Sequence, residues 1–189
     1  MGSSQFVALL LCAMVVFWVV GAVSRLKRLR QSASDSLPML LSHLQRHHDL
    51  AGRLAEALRP EVPQAAAAFD RLLAARSQAA AALALVQTRP LAGGPINSLT
   101  LAEHLLDDAA QPLLQHLEPI ESAQSWIHEW RTTHRQLATA RAQFNEAAQH
   151  YNQAIAELPT RVVATLWRLM PVALLDAPPT AAPASGSPS

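Results

Sequence analysis

Residues 130–158 read WRTTHRQLATARAQFNEAAQHYNQAIAEL. Trp130, Leu137, Phe144, Tyr151 and Leu158 recur on one heptad position, with Ala140, Ala147 and Ala154 three residues further on. Large side chains alternating with Ala along one stripe let a neighbouring helix approach closely, so the stretch predicts one long packed helix over about 121–158. Pro159 ends it, because proline lacks the amide hydrogen and clashes with the preceding turn. Beyond lies a short amphipathic stretch, 160–170. There Val162, Val163, Leu166, Trp167 and Met170 share an apolar face, with Arg161 and Arg168 opposite. That face is read as closing the bundle rather than lying on a membrane, since so short a helix buries little apolar area. Residues 178–189 are Pro, Ala, Ser, Thr and Gly only, a composition for a disordered tail.

Towards the N-terminus the same periodicity returns. Leu37, Leu44, Ala51 and Leu58 mark a seam over 37–58, with Leu40, His47 and Leu54 three positions later. Pro38 fits a first helical turn capped by Ser36, or a kink in a helix continuing from upstream. A second helix over about 64–87 carries Phe69, Leu72, Arg76, Ala79, Leu83 and Val86. Pro90, Gly93, Gly94 and Pro95 make 88–98 a loop. A third helix is expected from Ser98 or Thr100, with Glu103 completing a capping box, and with Pro112 and Pro119 kinking or dividing it.

The first residues are of another kind. Residues 6–23 form an uninterrupted apolar run, about 27 Å as a helix and close to the hydrocarbon thickness of a bilayer. Residues 1–5 carry no charged side chain, unlike the basic start of a cleaved signal peptide. Arg25, Lys27, Arg28 and Arg30 follow the run and are the expected membrane-interface residues. The positive-inside rule then places the N-terminus outside and the remainder in the cytoplasm. The formal net charge of +1 argues against a nucleic-acid binder, and Cys12, the single cysteine, excludes an intrachain disulfide. The expected fold is all-α, an N-terminal transmembrane helix followed by a long antiparallel helical bundle. Its parts are a short extracytoplasmic N-terminus (1–5), an anchor (6–24), a basic juxtamembrane segment (25–36), the bundle (37–177) and the tail (178–189).

Two stretches carry a family resemblance. One is the basic exit Arg-Leu-Lys-Arg-Leu-Arg from Arg25, followed by Leu-Gln-Arg-His-His-Asp-Leu from Leu44. The other holds Ala140-Arg141, Phe144-Asn145, Tyr151-Asn152 and Pro159, with Ala74-Ala75-Arg76 fitting between them. Together they resemble the LemA family of bacterial membrane proteins, whose pattern commonly has Ile-Pro-Asn-Leu where this chain has Ala51, Gly52, Arg53 and Leu54. The resemblance implies a membrane anchor, long packed helices and no established enzymatic activity. It also implies a bacterial inner membrane as the location.

Arg76 and Arg141 fall on or beside apolar seams. Either they join a structural polar network with Asn145, Asn152, Asp49 or Glu121, or their charged heads reach solvent. The network is the expectation for Arg141, and both readings stand for Arg76. His43 and His47, at i and i+4, are the candidate metal ligands, with His48 adjacent and His104, His116 or Asp49 as a third partner. His128-Glu129 begins a zincin-like pattern, but residue 132 is Thr and His134 falls off that face. The spacings match a metal site loosely, so neither metal nor cofactor is expected. No nucleophile elbow or phosphate loop is present, and Asp107 and Asp108 read as a solvated helix face. The expected function is a non-catalytic adaptor or scaffold for membrane or membrane-proximal proteins, with homo-oligomers possible in principle. The alternatives are a His-based metal-binding or sensing protein and a lipid-binding, membrane-organising protein.

Overall fold

The computed structural model describes residues 3–157, 161, 164, 165, 167 and 169–175. Among them there are helices and no strand. Helix α1 runs Ser3–Leu58, α2 Ala66–Thr88, α3 Gly93–Leu117 and α4 Gln124–Ala156. Single 3₁₀ turns, Pro63–Ala65 and Glu121–Ala123, lead into α2 and α4.

The apolar run, the basic segment and the first seam are one helix of 56 residues. The helix runs through residues 25–36 without a break. Leu26 and Ala33 within them are buried, while Arg25, Lys27, Arg28 and Arg30 point outward. Pro38 lies inside α1 and is exposed, so its missing amide hydrogen falls on the outer face. Leu37, Leu40 and Leu44 hold the opposite face in the core and carry the helix through. Ser36 does not cap a helix start, since its hydroxyl donates to the Ala33 carbonyl at 2.9 Å.

α1 packs chiefly on α4, and α2 on α3. Arg25 meets Glu157 at 3.9 Å and Arg53 meets Glu129 at 2.7 Å, over the same interval of residue number on both helices. α1 and α4 are therefore antiparallel and in register. The seams lie where periodicity puts them: Leu37, Leu44, Ala51, Leu58, Phe69, Leu83, Val86, Trp130, Leu137, Phe144 and Tyr151 are all buried in one core. A second, smaller cluster joins Ala22 and Leu26 of α1 to Ala154 of α4, so the far end of α4 reaches the end of the apolar run.

α3 starts earlier than the sequence suggests. Gly93, Gly94 and Pro95 form its first turn, where amide hydrogens have no intrahelical partner and proline costs nothing. The connection from α2 is only four residues long and includes Leu91 at φ 63°, in the left-handed region. Pro112 sits within α3 on its exposed face, whereas Pro119 does separate α3 from α4. Leu158, Pro159, most of the 160–170 stretch and the 178–189 tail lie outside the described residues. Of the stretch's expected apolar face, Trp167 and Met170 are exposed.

α1 also holds a helix long and apolar enough to cross a membrane, with a mean hydropathy of 2.2 in its best window. Only 11% of that window is buried, and Phe6, Leu9, Met14 and Phe17 stand bare on the surface.

Candidate functional site

The chemistry-bearing side chains converge where α1, α3 and α4 meet. Glu103 of α3 is 2% exposed. One of its oxygens, Oε1, lies 2.6 Å from Nε2 of His48 on α1. The other, Oε2, accepts from the Arg141 guanidinium of α4 at 3.1 Å. A single buried carboxylate thus ties three helices, each oxygen taking one partner. The charged groups are stable there only because they meet each other, since a buried charge without a partner costs several kcal/mol.

Asp107 lies one turn further along α3 on the same face, 3.8 Å from Nδ1 of His134 on α4. Burial raises the Asp107 pKa, while His134 and Arg141 pull it the other way. His47 is 0% exposed, and its ring lies 4.4 Å from that of Trp130 between centroids. Burial, with the nearby His134, His48 and Arg141, pushes its pKa down to about 3 and keeps the imidazole neutral.

The expected polar network is therefore real at Arg141 but differently composed. Glu103, a residue outside the expected set, is a partner of Arg141 there. Arg76 belongs to a separate, half-buried contact. It donates to the His48 carbonyl at 2.7 Å and stands 3.8 Å from Asp49. Gly52 makes room for it: a Cβ there would lie 3.2 Å from the Arg76 guanidinium. One departure from the family pattern is thus where the arginine crosses α1.

Asn145 and Asn152 bridge no helices. Each grips the backbone of the chain returning after α4. Asn152 donates to the Val172 carbonyl and accepts from the Val172 amide, both at 2.8 Å. Asn145 does the same with Leu175, its Oδ1 accepting from the amide at 2.9 Å. Seven helical residues rise about 10.5 Å, and three extended residues span about 10 Å, so the heptad spacing matches the Val172-to-Leu175 step. The chain is laid antiparallel to α4, with Val172 and Leu175 in the core. Asn152→Ala should release this segment locally, at about 1–3 kcal/mol for the unpaired amide and carbonyl. Hydrogen exchange at Val172 should accelerate about fivefold or more while exchange in mid-α4 is unchanged.

The other sequence candidates are dispersed. His43 stands apart from the His47–Asp107–His134 group, and His104 and His116 are exposed. Glu129 of the zincin-like pair is engaged by Arg53. Asp108 is solvent-facing as expected, but Asp107 is not a simple surface carboxylate. Lys27 and Arg30 border a cavity of about 370 Å³ with Val23, Leu26 and Tyr151. Glu103, His48, Asp107 and His134 were absent from the expected network. The signal for Glu103 was the spacing Ile96, Glu103, Ala110, Leu117, a buried heptad row on α3.

Comparison with curated proteins returned no match. The family model described as the LemA family matches residues 38–185, from the middle of α1 through the returning segment. It takes in Glu103, Arg141 and both asparagine clamps, and leaves the basic exit at Arg25–Arg30 outside the matched part. With more than half of its length matched, this chain belongs to the LemA family.

Proposed function

We propose that this LemA-family protein is a non-catalytic scaffold, rooted in the bacterial inner membrane by residues 6–24 and binding membrane-proximal proteins through its cytoplasmic bundle. The observation that carries the reading is the continuity of α1, which passes from the apolar run into the core without a break. A helix so joined holds the bundle at a set distance and orientation from the bilayer, which a flexible tether does not. The bare apolar side chains near its start need a cover, and lipid supplies one. Arg25, Lys27, Arg28 and Arg30 follow on the outward face, where anionic headgroups attract them and where they orient the N-terminus outward.

For the partner surface the best-supported region is the concave polar face between α1 and α2. Ser42, Gln45, Arg46, Asp49, Arg53 and Arg76 border a groove of about 630 Å³. Mixed charges on a rigid helix suit protein recognition more than small-molecule turnover. The test is a photo-crosslinking side chain placed at Gln45 or Arg46, activated in intact membranes and read by mass spectrometry. Discrete adducts to a membrane-associated protein, missing when the probe sits at Gln143 or Gln149 on α4, are expected. Equal labelling from all four positions, or none from any, counts against the scaffold reading.

A further inference from the structure

We infer that His47, Asp107 and His134 form a transition-metal site inside the bundle, two imidazoles and one carboxylate from three different helices. Their ligand atoms lie within 4.8 Å of one another. Bond lengths to zinc of about 2.0–2.2 Å require these atoms to close by roughly an ångström. The two partners that must move are the freer ones. The His134 side chain is 44% exposed and that of Asp107 24%, whereas His47 is fixed against Trp130.

The buried imidazole itself points to a ligand. Both ring nitrogens of His47 lack a hydrogen-bond partner among the described residues, although the residue is 0% exposed. A buried polar group left so is costly, and a metal accepting the lone pair relieves that cost. His134 and His48 face the His47 ring from α4 and α1, and Arg141 brings a positive charge towards both His47 and Asp107. Glu103 accepts from that guanidinium at 3.1 Å. His104, the remaining group facing Asp107, is exposed on α3.

Space and access are present beside the triad. A cavity of about 470 Å³ is bordered by Asp107, Trp130, His134 and Arg135. Three protein ligands beside an open cavity leave the fourth position to water or a small anion. Arg131, also on its rim, is held by Glu118 at 2.6 Å. Two nitrogens and one oxygen favour zinc and its neighbours over calcium or magnesium, which take all-oxygen sets.

The experiment is calorimetric titration of Zn²⁺ into the full-length, tag-free protein in lipid nanodiscs after removal of bound metal by chelation. One saturable equivalent is expected. His134→Ala and Asp107→Asn should each weaken binding at least tenfold, since even indirect partners of a ligand contribute 10–100-fold. Both residues are partly exposed, so their variants keep the wild-type helix content, and circular dichroism checks this. His116→Ala, on the exposed face of α3, should bind as the wild type does. Absence of saturable Zn²⁺ binding overturns the site. Binding that persists at wild-type affinity in both His134→Ala and Asp107→Asn also overturns it, because the metal is then held elsewhere.

Discussion

Glu103→Ala is expected to destabilise the bundle by about 3–5 kcal/mol, because it removes the buried carboxylate that Arg141 and His48 share. Typical domains are stable by only about 5–15 kcal/mol, so the variant should lose a large part of its margin. The loss belongs to the broken pairing rather than to the value of the pair itself. Desolvating both charges offsets much of their attraction, so replacing the pair by apolar residues of similar volume is often neutral. Glu103→Met combined with Arg141→Met should therefore recover most of what Glu103→Ala loses. Urea unfolding followed by circular dichroism measures both. A Glu103→Ala cost below about 1 kcal/mol would mean that the centre is hydrated and does not hold three helices together.

Removal of residues 3–20 should have the second large effect, a complete shift from the alkali-resistant membrane fraction to the soluble fraction. The side chains involved include Phe6, Leu9, Leu10, Met14, Phe17 and Trp18, all exposed. At about 1.5–3 kcal/mol for each large apolar side chain, their transfer to hydrocarbon is worth on the order of 20 kcal/mol in all. No interfacial charge pairing approaches that. The deletion spares Ala22 and Leu26, which pack against Ala154, so the bundle should keep its helicity. Extraction of the intact protein by alkali would contradict the anchor.

Periodicity made most of this fold legible. Heptad spacing at Leu37–Leu58, Phe69–Val86 and Trp130–Tyr151 selects the buried stripes, because a seam position has no alternative but to face its neighbour. What failed was punctuation. Pro95 reads as part of a loop, yet it lies within α3; Pro38 and Pro112 lie inside their helices, as the continuing-helix and kinked-helix alternatives allow. Pro38 and Pro112 are on exposed faces and Pro95 is in a first turn, where the missing amide hydrogen is tolerated. The error at Pro95 carried through to the site. A third helix started at Ser98 or Thr100 makes Glu103 a capping residue, which hides its contact with Arg141. Asn145 and Asn152 announced a shared role by their spacing, but spacing on one helix cannot say whether a second helix or a returning strand of chain is gripped. The His47–Asp107–His134 grouping was out of reach, since it depends on how three helices rotate about their axes.

The apolar run and the first seam of the bundle form one rod, α1. Spin labels at Ser24→Cys and Gln45→Cys, in a Cys12→Ser background, bracket both the basic cluster and Pro38; both positions are exposed. In lipid nanodiscs, pulsed electron–electron resonance should return one narrow distribution, with backbones about 32 Å apart from the helical rise. A broad distribution, or one centred well below that distance, would show a hinge between anchor and bundle and would contradict the account.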